Sequence, residues 1–410
     1  MYIVFTYLTY FIAWLAYPFN RKIRNRVRGL CGNTGRIGKL RENDSAPLAW
    51  MHCASLGEFE QGKPLLEAFM KQHPEYRSMV TFFSPSGYIP SQEYGADIIA
   101  YLPWDTYFGA KKFLNAVKPS IVFWIKYDYW NNHLAQIKKR NIPCYLISAT
   151  FRPEQYFFKP VLRQLSPLPY FTRLFVQTGQ SKQLLADAGI CNVTVTGDTR
   201  FDRVCKIASR NVSFPVVEQF VRSSKKVLIA GSSWPKDEAV IAEAIRQMPD
   251  IKLILVPHEI DPERIVSSEQ TFAFRKTLRY TRAGQDNDIQ AEVLIVDTIG
   301  ILSSIYRYAG AAYIGCGFDG GIHNTLEAAV YGIPVTFGPK YDRFEEAKEL
   351  VAAGGATPVN SAEELRTLLT LWFSGNGDER DRQGKICAEY VKRNNGIVEK
   401  ILETINDANQ

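Results

Sequence analysis

The sequence predicts an α/β protein made of two Rossmann-like, doubly wound domains, and three observations point there. From Pro47 onward, short apolar runs alternate with amphipathic stretches of helical length, the pattern of parallel strands flanked by helices. These runs fall into two series, separated by a stretch of mixed charge and poor periodicity. Late in the second series, the apolar run Ala311 to Ile314 enters a glycine loop, a helix start and then a further apolar strand reached through Gly332-Ile333-Pro334. A chain of 410 residues, 46% hydrophobic and 22% charged, has the length and composition for two full cores.

In the first series, strands are expected near Leu48 to His52, Met79 to Phe83, Ile98 to Leu102, Ile121 to Ile125, Cys144 to Ser148, Leu174 to Gln177 and Val193 to Thr196. The second series comprises Val227 to Ala230, Leu253 to Val256, Val293 to Val296, Ala311 to Ile314 and Val335 to Phe337. Helical patterns follow at Ala362 to Phe373, Asp378 to Arg393 and Ile397 to Ile405. The expected domains are thus 45–205 and 226–395, with a linker at 206–225 and a helical tail at 396–410 that packs back across the cleft. Ligands of doubly wound sheets bind outside the carboxyl ends of the strands, so the active site is expected where the two sheets face each other.

Ahead of the first domain, residues 1–28 are unlike the rest. Tyr2 to Phe19 is a run of eighteen residues without charge, rich in aromatics, followed by Arg21, Lys22, Arg24, Arg26 and Arg28 with no intervening acid. Those five account for most of the formal net charge of +7. A helix over the apolar run would be about 27 Å long, at the short end of what crosses a hydrocarbon core. A signal peptide would carry its charge first and a small-residue cleavage site last, and the order here is reversed. A buried core helix and a membrane anchor both remain as readings, and the aromatic run beside five basic residues favours the anchor. If it spans, the positive-inside rule puts the rest of the chain in the cytoplasm; if it lies in the interface, the basic cluster meets anionic lipid.

Seven scattered cysteines form no CxxC pair, and five histidines form no HExxH arrangement, so neither a disulfide framework nor a protein-held metal is expected. Basic residues beyond the N-terminal cluster are balanced by acids and no reader motif is present, which argues against nucleic acid as a partner. No Gly-x-Gly-x-x-Gly follows an early strand, which argues against a dinucleotide-dependent dehydrogenase.

Two strand ends carry the candidate chemistry. In Gly315-Cys316-Gly317-Phe318-Asp319-Gly320-Gly321-Ile322-His323-Asn324-Thr325-Leu326-Glu327, the Gly320-Gly321 backbone and a helix start at His323-Asn324 would present amides and a positive dipole end to a phosphate. Glu327 would then accept hydrogen bonds from a ribose, although a glycine turn can equally serve packing alone. At the first strand end, His52-Cys53-Ala54-Ser55-Leu56-Gly57-Glu58 places Glu58 at a strand-to-helix junction. There a helix N-terminus favours its ionised form and burial lifts its pKa toward that of a general base. The plain preference of helix starts for acids accounts for many such glutamates, and for Glu60.

Together, His-x-x-Ser-x-Gly-Glu and Gly-Gly-x-His-Asn-x-x-Glu make the chain similar to the 3-deoxy-D-manno-octulosonic acid (Kdo) transferases. Val195-Thr196-Gly197-Asp198-Thr199-Arg200-Phe201-Asp202, Ala230-Gly231-Ser232-Ser233 and Asp297-Thr298-Ile299-Gly300 support the likeness. The resemblance implies a GT-B fold and inverting, metal-independent and cofactor-free transfer of Kdo from CMP-Kdo to a lipid A precursor, lipid IVA, in lipopolysaccharide biosynthesis. It places the enzyme on the cytoplasmic face of the inner membrane. It makes Glu58 the base on the acceptor hydroxyl, with Asp128 a second catalytic acid. Ser55, Gly57, Lys126 and Arg200 fall on the acceptor or sugar side. Ser232, Ser233, His258, Gly320, Gly321, His323, Asn324 and Glu327 fall on the CMP side.

Two stretches depart from the family pattern. Lys126-Tyr127-Asp128-Tyr129-Trp130-Asn131 stands where Glu-Thr-Glu-Leu-Trp-Pro is usual, so a lysine replaces the first acid and the shorter Asp128 the second. Lys126 is a candidate partner for the carboxylate of Kdo. Val256-Pro257-His258-Glu259 stands where Pro-Arg-His-Pro is usual, leaving His258 either as a nucleotide contact or as a structural histidine. The rival readings are a GT-B transferase or epimerase that uses UDP-sugars, and a membrane-tethered nucleotide-sugar binding protein without turnover.

Overall fold

The computed structural model describes residues 2–407 apart from 160, 223, 225, 284–289 and 376. The chain divides into two compact units, one of residues 1–203 with 396–410 and one of residues 204–395. Each is built on a seven-stranded, wholly parallel sheet.

The first sheet comprises β1 (Leu48–Cys53), β2 (Arg77–Phe82), β3 (Ile98–Tyr101), β4 (Ile121–Ile125), β5 (Cys144–Ala149), β6 (Arg173–Val176) and β7 (Val193–Val195). Its order is β3-β2-β1-β4-β5-β6-β7. Every residue of β1, β4 and β5 is buried, as expected of central strands covered by helices on both faces. On one face Trp50 packs edge-on against Trp124 and Phe113, with ring centroids 5.7 and 5.5 Å apart. Each such ring contributes roughly 2–3 kcal/mol of burial.

The second sheet comprises β8 (Val227–Ser233), β9 (Lys252–Pro257), β10 (Thr277–Arg279), β11 (Val293–Ile295), β12 (Ala311–Ile314), β13 (Val335–Phe337) and β14 (Ala356–Pro358), ordered β10-β11-β9-β8-β12-β13-β14. Its core gathers Leu228, Ile241, Leu253, Tyr313, Leu369 and Trp372. The sheet order reverses between β1 and β4 in the first and between β8 and β12 in the second, and those are places where such folds open a crevice.

Eleven of the twelve expected strands match the observed ones to within two residues at each end, and β8 runs three residues past its expected end. β10 and β14 were not expected. Both are three-residue edge strands without the alternation or length that marks a strand. The expected linker at 206–225 is instead partly folded: helix Pro215–Val221 buries Val217 and Phe220 within the second unit. Residues 223 and 225 of that stretch, and 408–410 of the expected tail, lie outside the described residues. Helix Ile397–Asp407 belongs to the first unit, where Asp202 accepts the backbone N–H groups of Ile397 and Val398 at 3.1 and 3.3 Å.

The N-terminal segment differs from expectation in two respects. Its first helix, Tyr2–Ala16, has 15 residues and is about 22 Å long, because Pro18 cannot extend it and Asn20 begins the next helix by accepting the Ile23 amide at 3.1 Å. Among the described residues, no helix is long and apolar enough to cross a membrane. The basic cluster is also not uniformly a surface feature. On helix Arg21–Leu30, Arg26 is buried, and its guanidinium lies 3.8 Å over Phe83 and 4.7 Å over Trp104 while donating to Leu102 O at 2.9 Å and to Phe83 O. Desolvation lowers its pKa to about 10. Arg26→Ala is expected to lower unfolding stability by about 2 kcal/mol in a urea titration, and Arg24→Ala by less than about 0.5 kcal/mol.

Candidate active site

In the first unit the candidate residues collect at the reversal between β1 and β4. β1 runs into Ser55, the residue before helix Leu56–Gln72, which puts Glu58 in the first turn of that helix. The Glu58 carboxylate folds back to accept the Ala54 amide at 2.5 Å. Burial is the main influence on it and pushes its pKa up to about 7; the nearby Asp128 charge acts in the same direction, while the Ala54 amide and Lys126 oppose it. Gly57 is exposed beside it. Ser55 makes no capping hydrogen bond with its side chain.

At the neighbouring strand end, Lys126 follows β4 with a left-handed φ of 56°, a turn that a lysine adopts at a cost of about 1 kcal/mol. Its amide donates to Ile147 O at 3.1 Å, so pairing with β5 continues while the chain turns. The turn brings Asp128 back over β1. Asp128 Oδ2 accepts Trp130 Nε1 at 3.1 Å, its backbone carbonyl accepts Trp124 Nε1, and His52 Nε2 lies 3.5 Å from the same carboxylate oxygen. Arg200 is placed differently: its Nε donates to buried Asp198 at 2.8 Å, and Asp198 is held low, against its desolvation, by Arg200 and Lys126 together.

Sequence reasoning did not find the cavity beside this pair. It has a volume of about 570 Å³, its walls are mainly apolar, including Phe83, Trp104, Tyr129 and Trp130, and Asp128 and Asp105 also line it. Tyr2 and Thr6 of the first helix complete it, and Tyr2 OH donates to Asp105 at 2.5 Å. No pattern in the sequence ties Tyr2 to Asp105, 103 residues away.

In the second unit the other candidates collect at the reversal between β8 and β12. The strands approach so closely that a Cβ on Gly315 would sit 2.1 Å from Ser232 O, so only glycine fits there. Ser232 and Cys316 leave the two strands with left-handed φ of 54° and 74°. His258 stacks on His323 with centroids 4.5 Å apart and on Trp234 at 5.2 Å. Burial, with His258 second, lowers the pKa of His323 to about 4. Asn324 accepts the Leu326 amide at 3.1 Å and lies 3.4 Å from Glu327.

Two expectations for this loop are corrected. The helix begins at Leu326 and is a single turn, Leu326–Ala329, because the Asn324 side chain caps the Leu326 amide; no helical amides are presented at His323-Asn324. The Gly321 amide donates to Cys316 O at 3.1 Å and is committed inside the loop, whereas the Gly320 amide has no partner among the described residues. Ser232 and Ser233 end β8 just ahead of helix Pro235–Ile245, and the buried Ser233 hydroxyl donates to Glu238 at 2.7 Å, an acid that also pairs with Arg264. Two cations that the sequence did not single out stand by the loop: Lys236 pairs with Asp319 at 2.5 Å, and Lys340 donates to Asp319 O at 2.8 Å. Among the described residues, no group of three or more His, Cys, Asp or Glu side chains could hold a metal ion.

The family described as 3-deoxy-D-manno-octulosonic-acid transferase (kdotransferase) matches residues 32–203, which carry the whole Glu58–Asp128 arrangement. The 3-deoxy-D-manno-octulosonic acid transferase of Rickettsia bellii is 28% identical over 394 residues, 90% of each chain, and that of Aquifex aeolicus is 26% identical over 82% of this chain and 90% of its own. The chain resembles the Kdo transferases. Among solved structures, the UDP-GlcNAc 2-epimerase of Neisseria meningitidis bound to UDP-GlcNAc superposes with a TM-score of 0.64 at 16% identity, over 88% of this chain and all of its own. MurG of Acinetobacter baumannii does so with a TM-score of 0.55 at 11% identity, over 88% and 99%. These two share the fold, with Rossmann-like parallel sheets as expected.

Within this Kdo-transferase-like arrangement, the raised pKa of Glu58 has a sign that stability can read. A carboxyl whose folded pKa lies above its ordinary value of 4.5 binds its proton more tightly in the folded state. Stability is therefore unpenalised below about 4.5, falls as pH rises, and levels off above about 7. Glu58→Gln removes that fall, so the variant should gain on wild type across this window by at most about 3 kcal/mol, measured by urea unfolding at a series of pH values.

Proposed function

We propose that the chain transfers Kdo from CMP-Kdo to the lipid A precursor lipid IVA, with inversion, in lipopolysaccharide biosynthesis. The observation that carries this reading is its likeness, over nine-tenths of its length, to relatives named for Kdo transfer. The half-buried Glu58 supports it chemically. A sugar hydroxyl attacking the anomeric carbon must lose its proton, and a carboxylate with a pKa of about 7 is a suitable acceptor near neutral pH. Asp128 orients the acceptor beside it, and Lys126 and Arg200 bring positive charge toward a substrate that carries carboxylate and phosphate groups.

In the second unit the nucleotide side of the reaction falls to the β8–β12 reversal. There the free Gly320 amide and the lysines at 236 and 340 offer charge to the departing phosphate, the His258–His323–Trp234 stack offers ring faces to a base, and Glu327 an acceptor to a ribose. The 570 Å³ cavity suits part of an acyl chain of the acceptor. Tyr7, Leu8, Phe11, Ile12, Trp14 and Leu15 on the first helix are all at least 40% exposed, which supports a helix lying in the membrane interface on the cytoplasmic side of the inner membrane.

Release of CMP from CMP-Kdo by the purified protein, with lipid IVA in detergent, tests the reaction. Wild-type kcat/KM should rise with pH through about 7, and Glu58→Gln should lower turnover by about 100-fold or more while CMP still protects against thermal unfolding. Acceptor-independent release, or none, would refute the reading, as would protection by UDP and not CMP. For the membrane, wild type should float with phosphatidylglycerol vesicles, and the pair Phe11→Glu and Trp14→Glu should weaken this by about tenfold or more. Unchanged flotation would show that the first helix is not the contact.

A further inference from the structure

His52 is fully buried near the end of β1, and none of the roles above uses it. Its ring packs on Trp124 with centroids 4.4 Å apart, and its Nδ1 lies 2.9 Å from Thr81 Oγ1. The same Thr81 oxygen accepts Trp50 Nε1 at 2.8 Å. An indole N–H can only donate, so the hydroxyl receives that proton; among the described residues its own proton has no acceptor other than His52 Nδ1, and it turns there. The imidazole proton is then on Nε2. That nitrogen has no hydrogen-bond partner among the described residues, and the polar atom it faces is Asp128 Oδ2 at 3.5 Å, just beyond ordinary hydrogen-bond length. Arg26 and His133 are the other charged or titratable groups near the ring, and burial disfavours its protonated form.

We propose that His52 is a positioning residue: its Nε2–H, directed by the Trp50–Thr81 pair, holds the Asp128 carboxylate from below while Trp130 holds it from the side, and so fixes the negative charge that Glu58 faces. The inference rests on the transferase reading for its kinetic consequence and on the tautomer for its structural one. A neutral imidazole suits this task, because it orients the carboxylate without cancelling its charge.

Two measurements on the full chain separate these. In a long-range 1H–15N spectrum of histidine-labelled protein, His52 should show the Nε2–H tautomer, with its Nε2 resonance shifted in Asp128→Ala; an Nδ1–H tautomer, or a resonance indifferent to Asp128→Ala, would overturn the proposal whatever the enzyme does. In the CMP-release assay, His52→Leu should lower kcat about tenfold with the KM for CMP-Kdo unchanged, and His52→Gln, which retains an N–H, should recover to within about threefold of wild type. In the Asp128→Ala background, His52→Leu should change kcat by less than about twofold, because its effect passes through Asp128. An equal loss in both backgrounds would overturn the positioning role. If His52→Leu does not fold, Thr81→Val takes its place in the same cycle with the same expected direction. A wild type that releases no CMP would sink the transferase reading alone, since the tautomer is read without turnover.

Discussion

Everything in the first unit's candidate site depends on the parallel pairing of β1 with β4. The register sets His52 opposite Trp124, so both strands end at the same level of the sheet. β1 then continues into a helix start and β4 into a turn, and the two acids that follow, Glu58 and Asp128, come within electrostatic reach without bonding to each other. Parallel strands make this possible. In an antiparallel pair the two following segments would leave from opposite edges.

The turn after each strand matters as much as the strand. Lys126, Ser232 and Cys316 all take left-handed φ immediately after, or at the end of, a strand that borders a reversal in sheet order. An extended backbone there would carry the chain onward, away from the sheet edge; a single left-handed residue folds the next residues back over it. Strain of about 1–3 kcal/mol at each such position persists because the ladders on both sides over-determine it. In the second unit the same economy of space appears as contact between backbones: Gly315 lies against Ser232 O, and no side chain could intervene.

Much of this was legible in the residues. The central strands are continuous apolar runs bounded by loops, and helices Ala362–Phe373 and Asp378–Arg393 show plain amphipathic spacing, so their limits could be read directly. Glu58 was legible because a strand, a small-residue turn and an acid succeed one another locally. What escaped was whatever depends on distant partners. Arg26 belongs to a basic run, and only the tertiary fold shows that Phe83 and Trp104 enclose it. The single-turn helix at Leu326 looked longer because Asn324 and Glu327 suit a helix start, yet the Asn324 side chain caps an amide two residues on and delays it. The cavity was illegible for the same reason, since Tyr2 and Trp130 meet only in three dimensions.

The substitution at Lys126 acquires a physical sense from the charges around it. Glu58 is already lifted by burial and by Asp128, and Lys126 is the nearby cation that works against both. A glutamate at that position, as the resembled family usually has, would add a third carboxylate to a desolvated site and raise the pKa of Glu58 further. With lysine there, and with the shorter Asp128 in place of the second glutamate, one negative neighbour is balanced by one positive one. Lys126 and Asp128 act in opposite directions, and burial is the main influence that lifts Glu58 to about 7. The same lysine also lowers the carboxyl of Asp198, on which Arg200 is anchored, so a single side chain couples the Glu58 carboxyl after β1 to the cationic edge beyond β7.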